Sequence, residues 1–97
     1  MQFLIIKKPR ENFIETMTED ESKIMSEHFE YLKRMLFEGK LILAGPVTTG
    51  DFGVSIVETE TEDEAREIMN NDPAVIAGIM KPTLYLYRVS LMRGRDD

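Results

Sequence analysis

Few side chains in this sequence could carry out a reaction, and one of them has no duplicate. The chain has a single histidine, His28, and neither cysteine nor tryptophan. Without cysteine there is no thiol nucleophile, no disulfide framework and no Cys-ligated zinc or iron–sulfur site. One histidine with no second His or Cys argues against a built-in transition-metal site. No segment has the spacing of an EF-hand, a Walker A loop, a GxGxxG turn or an HExxH helix. No cofactor is expected. Proton transfer remains. Imidazole changes charge near neutral pH, and a carboxylate that fixes its tautomer makes it a general acid or base.

Ile24 lies one turn before His28 and Leu32 one turn after, with Tyr31 and Met35 nearby. The ring therefore belongs to the apolar face of a helix. Such a position suits a half-buried histidine bonded to a neighbour, and it also suits a general acid/base. Asp72 is the second candidate. Asp before Pro73 reads as an N-cap with Pro at N1, and capping alone accounts for it. Gly45–Pro46 reads as a strand terminator, or as a rigid rim where a ligand approaches the backbone. Tyr31, Tyr85 and Tyr87 could line a pocket or be core. Thr48, Thr49 and Asp51 read as a hairpin turn, and Met25 and Met35 as packing.

The elements that must position these groups follow from pattern. Gln2–Lys7 is a short apolar run that reads as a strand, ended by Pro9. Arg10–Met17 has no clean period and reads as a loop. Thr18 and Glu21 have capping-box spacing, and a helical pattern runs on to about Glu38. Ile24, Met25, His28, Phe29, Tyr31, Leu32, Met35 and Leu36 share one broad face, and Gly39 closes the helix. Leu41–Ala44 reads as a second strand stopped by Gly45–Pro46, and Phe52–Glu58 as a third. Thr61–Glu64 starts a second helix that runs to Asn70 or Asn71. Asp72–Pro73 opens a further turn of helix to Gly78, and Thr83–Leu91 is the last strand. Residues 92–97 read as a frayed tail.

The order is β-α-β-β-α-β. It predicts a ferredoxin-like α+β domain over residues 1–91, with both helices on one face of a four-stranded antiparallel sheet. The two helices then lie side by side, so Asp72 can approach the first. Phe3–Ile6 and Leu41–Leu43 are apolar on both faces. A sheet covered on one side only should alternate. The uncovered face therefore needs an apolar partner, and a second copy of the chain is the simplest, joined sheet to sheet.

The 97 residues (11.2 kDa) suffice for one modest core. Twelve basic and 18 acidic residues give a net charge of −6, which argues against nucleic acid as a partner. The acids between Glu58 and Glu67 read as a solvated helix face. No apolar run approaches a membrane span, and the N-terminal stretch does not read as a signal peptide, so a cytoplasmic location is expected.

Three stretches taken together resemble the YCII-related (YciI-like) family. They are His28-Phe29-Glu30-Tyr31-Leu32, Glu38-Gly39-Lys40-Leu41-Ile42-Leu43-Ala44-Gly45-Pro46, and Asn71-Asp72-Pro73-Ala74-Val75-Ile76-Ala77-Gly78. The resemblance runs from about Met1 to Leu91. It implies the dimeric α+β barrel superfamily, in which two ferredoxin-like protomers pack their sheets together. It also implies a His–Asp pair in a cleft between helices and sheet, at His28 and Asp72 here. Ala74 stands where the family usually has an aromatic residue, a change that would enlarge or relocate a substrate pocket. Some relatives are dehydrochlorinases of hydroxylated chloroaromatics, and superfamily relatives include lactone isomerases.

Two functions follow as expectations. One is a cofactor-independent acid/base enzyme, an isomerase or lyase of the dehydrochlorinase type. It would act on a small cyclic or aromatic substrate, with His28 and Asp72 catalytic and Tyr31, Gly45, Pro46 and Ala74 against the substrate. The other is a non-catalytic dimeric module that binds or senses a small ligand in an apolar pocket. A purely structural role for His28 and Asp72 also stays open.

Overall fold

The computed structural model describes residues 1–95. In chain order the elements are β1 (Gln2–Lys8), α1 (Phe13–Thr16), α2 (Glu19–Phe37), β2 (Leu41–Pro46), β3 (Gly53–Glu58), α3 (Glu62–Asn70), α4 (Pro73–Ile76) and β4 (Lys81–Tyr87). The four strands form one antiparallel sheet in the order β2-β3-β1-β4. This is the ferredoxin-like α+β arrangement that the element order predicts, with two single-turn helices added.

Strand parity decides what faces the helices. Along β1, Phe3, Ile5 and Lys7 are buried, while Leu4 and Ile6 between them are only half-buried. Phe3 and Ile5 join Leu41 and Val57 of the sheet, Tyr31 and Met35 of α2, and Ala65 and Met69 of α3 in the core. The opposite face is also apolar. By register it carries Leu4, Ile6, Leu43, Val54, Ile56 and Tyr85, and Leu43 and Tyr85 are about half exposed. A two-sided apolar sheet is thus present, covered on one side.

Helix α2 begins where the capping box predicts. Thr18 Oγ1 accepts from the Glu21 N–H, and Glu21 Oε1 accepts from the Thr18 N–H. Gly39 follows its end at φ +80°, a left-handed conformation in which a side chain is strained. In α3 only half of the expected box forms, with Thr61 Oγ1 accepting from the Glu64 N–H.

Several stretches differ from expectation, the larger differences for tertiary reasons. Arg10–Met17 is not all loop. Asn12 takes a left-handed conformation, Phe13 is buried, and the Arg10 guanidinium bonds both the Thr16 carbonyl (2.9 Å) and Glu21 Oε2 (2.6 Å), which fixes α1. β2 is not stopped by Gly45–Pro46 but includes both. It is an edge strand, where proline's missing N–H is tolerated. β4 starts at Lys81 and ends at Tyr87 because it pairs with β1 over the whole of β1, Lys8 to Gln2. Of the expected frayed tail, Asp96 and Asp97 lie outside the described residues. The stretch before them is held in a turn by Arg95 N–H to the Met92 carbonyl and Arg95 Nη2 to the Val89 carbonyl.

Phe3 is fully buried at the centre of this core. Phe3→Ala should lower unfolding stability by about 3–5 kcal/mol in urea denaturation. A loss under about 1 kcal/mol would mean that the helix-covered face of β1 is not the core.

Candidate active site

The site assembles around one carboxylate. Asp72 ends the loop after α3 and caps α4, its Oδ1 accepting from the Ala74 N–H at 2.9 Å. Packing of α4 on α2 turns the rest of the carboxylate inward. His28, one turn above Leu32 on α2, brings Nδ1 to 2.7 Å from Oδ1 and 2.8 Å from Oδ2. Lys7, third in the buried series of β1, places Nζ 2.7 Å from Oδ2. The Asp72 side chain is 0 % exposed, Lys7 5 % and His28 14 %.

The protonation pattern follows from these contacts. Burial pushes the Asp72 carboxyl up, but the His28 hydrogen bond and the Lys7 charge and hydrogen bond outweigh it, leaving the group below its ordinary value of 3.8. Asp72 is therefore an anion at neutral pH and can only accept. The His28 nitrogen facing it must carry a hydrogen, so in the neutral tautomer the lone pair falls on Nε2, on the far side of the ring. Nε2 has no hydrogen-bond partner among the described residues.

His28 and Lys7 both open onto a cleft of about 620 Å³ between α2 and the β2–β3 side of the sheet. Met25, Phe29, Leu32 and Leu36 form its helical wall, and β2 from Leu41 to Pro46 forms much of the opposite one. Ile14 of α1 closes one side against Gly50. Gly50 sits at φ +81°, and a Cβ there would lie 3.0 Å from Ile14 Cγ1. Ser55, buried on β3 beside Ile5, adds a hydroxyl to the lining.

The structure brings together four of the six expected site residues. His28 and Asp72 meet, and Gly45 and Pro46 line the cleft. Tyr31 and Ala74 do not line it. Tyr31 points between α2 and α3, where its hydroxyl donates to the Ile68 carbonyl at 2.7 Å; burial, then the charge of Asp72, push the phenol above its ordinary value. Ala74 is fully buried on the inner side of α4 and reaches the site only through its N–H on Asp72. Tyr85 and Tyr87 stand on β4, outside the cleft, and Thr49 and Asp51 bond each other in a turn. Lys7 and Ser55 were missed by sequence reasoning. The signal for Lys7 was parity, since it follows Phe3 and Ile5 at intervals of two. Among the described residues no group of three or more His, Cys, Asp or Glu side chains could hold a metal ion, and no helix is long and apolar enough to cross a membrane.

These features define a class, a ferredoxin-like α+β protein with a His–Asp pair at the wall of an apolar cleft. The chain belongs to the YCII-related domain family, which matches residues 1–86. It is 33 % identical over 57 residues to the uncharacterized protein YjpA of Bacillus subtilis (strain 168), spanning 59 % of this chain and 67 % of that protein. Its fold is similar to that of 5-chloro-2-hydroxyhydroquinone dehydrochlorinase (TftG) from Burkholderia phenoliruptrix AC1100, solved in complex with 2,5-dihydroxybenzoquinone. The TM-score is 0.70 at 23 % identity, over 91 % of this chain and 94 % of that one.

Asp72 should carry a pH-dependent share of stability. Its folded value lies below 3.8, so that share is present above pH 3.8 and is lost as pH falls through the folded value. Asp72→Asn leaves Lys7 buried without its counter-ion and should cost about 3–5 kcal/mol at pH 7. Urea midpoints of the two proteins should converge on acidification. Glu21, held at about 2 by its Arg10 hydrogen bond, is common to both proteins and cancels in the comparison. Parallel curves would show that the Asp72 carboxylate is not the group that titrates.

Proposed function

We propose that the protein is a cofactor-independent acid/base enzyme acting on a small cyclic or aromatic substrate, with His28 as the proton acceptor and donor. The observation that carries this reading is the Nδ1–Asp72 hydrogen bond, which leaves Nε2 unbonded on a ring that borders the cleft. In the reaction, Nε2 takes a proton from substrate, and the imidazolium so formed keeps its hydrogen bond to Asp72. The proton returns to substrate or product in the second half. Asp72 orients the ring and is a positioning residue. The largely apolar walls of the cleft suit an apolar ring, and its volume has ample room for one. The fold shared with a dehydrochlorinase adds support for chemistry of that type.

The working unit in this reading is a homodimer joined through the open sheet faces. The support is the apolar row from Leu43 through Ile56 and Leu4 to Tyr85, which water would otherwise meet. The exposed surface of one protomer, 6790 Å², exceeds the roughly 5,700 Å² typical of a compact monomer of this mass. Sedimentation equilibrium at micromolar concentration should return twice the chain mass; the single-chain mass would end the dimer proposal.

The reaction to test first is chloride release from 5-chloro-2-hydroxyhydroquinone. The wild-type protein should release chloride, and His28→Ala should be slower by about 10²–10⁴-fold while keeping its near-ultraviolet circular dichroism. Equal rates in both proteins would remove His28 from the mechanism. A ligand that saturates the protein and returns unchanged would make it a binding module.

A further inference from the structure

Lys7 carries more hydrogen-bonding capacity than its ion pair uses. An ammonium has three N–H donors. Asp72 Oδ2 accepts one, and no other protein group bonds Nζ among the described residues. The side chain is 5 % exposed, yet Lys7 borders the cleft. A buried ammonium with two unspent donors is an incomplete site, because desolvated donors are costly without acceptors.

The polar lining of the cleft points the same way. Its lining includes Lys7 and Lys33, with His28 and Ser55, and no acidic residue. Asp72, the nearest acid in the structure of the site, lies fully buried behind Lys7 and His28 with its oxygens occupied. The chain as a whole is acidic, at −6. Lys7 is balanced by Asp72 and Lys33 by Glu30 at 3.3 Å, so the wall carries no net charge, but what it turns toward a ligand is N–H donors and no carboxylate.

We propose that Lys7 is a second catalytic residue, whose ammonium binds the oxyanion that substrate develops as His28 removes a proton. This rests on the acid/base reading of His28 and narrows its substrate to a small apolar ring bearing an ionisable enolic or phenolic hydroxyl. In the step, the substrate O–H bond breaks, the proton passes to Nε2, and the electron pair stays on oxygen. The resulting oxyanion takes the two free Lys7 donors. Lys7 and His28 reach one carboxylate within 2.8 Å, so both groups address the same end of the cleft.

The test is equilibrium binding of 4-nitrophenol, whose neutral and ionised forms absorb at different wavelengths. Bound to the wild-type protein, the probe should ionise about one pH unit lower than when free, a roughly tenfold preference for the anion. Lys7→Gln should abolish the shift, and His28→Gln should retain it. Because Lys7→Gln leaves Asp72 buried without its counter-ion, the double variant Lys7→Gln/Asp72→Asn removes both charges together. It should bind the probe without the shift. A Lys7-dependent shift supports the anion site even if the chloride assay is negative. An undiminished shift in either Lys7 variant, a shift lost in His28→Gln instead, or no shift in the wild-type protein overturns it, whatever His28→Ala does to turnover.

Discussion

A carboxylate without solvent contact is costly to bury, and three elements are tied together to satisfy this one. Asp72 receives a backbone N–H from α4, an imidazole N–H from α2 and an ammonium from β1. Those donors come from positions 7, 28 and 74, so the contact cannot form until sheet, long helix and the final helical turn are docked. Desolvation opposes this arrangement, and the hydrogen bonds with the Lys7 charge reverse it. A buried pair of this kind contributes little net stability compared with an apolar substitute. Its presence therefore directs attention to the group it orients, the ring of His28.

That orientation requires a helix that does not rotate. Helix α2 is fixed at its start by the Thr18–Glu21 capping box, and Arg10 ties Glu21 to the loop before it. Along its length the apolar face divides into two stripes. Tyr31 and Met35 enter the core, whereas Met25, Phe29, Leu32 and Leu36 face the cleft. His28 lies at the boundary between them, close enough to the core to be held and close enough to the cleft to face a ligand. The broad face is wide because α2 has two surfaces to cover.

The same division explains what could be read from the sequence. His28 was legible because helical period is a local property, and Asp72 was legible because Asp-Pro is a local cap signal. Their meeting was not legible from the residues themselves, since it depends on how α4 docks, and only the family resemblance implied it. Tyr31, three residues beyond His28, is rotated toward the core stripe, a distinction the broad apolar face conceals. Lys7 was hidden by its neighbours. In a strand apolar on both faces a terminal lysine reads as the end of the run, and only its parity with Phe3 and Ile5 marks it as inward. Helix α1 is too short for a period and is held by Phe13 burial and the Arg10 contacts. The end of β4 is set by the length of its partner β1 and not by its own residues.

Charge balance connects the ion pair to the proposed chemistry. With His28 neutral, Lys7 and Asp72 sum to zero, so a neutral hydroxylated ring enters a site with no net charge at its polar end. When the proton moves to Nε2, an imidazolium appears beside Asp72 and an oxyanion beside Lys7, and the sum is still zero. Each new charge then has an opposite one already in place, fixed by the fold before the reaction starts. Such an arrangement needs no reorganisation of the protein at the moment of transfer, which is what makes preorganised electrostatic stabilisation effective. A His–Asp pair without the lysine would carry a net negative charge before transfer and oppose formation of a substrate anion. On this view Lys7 has two related effects. It permits Asp72 to be buried as an anion, and it keeps that anion from repelling the one the reaction makes.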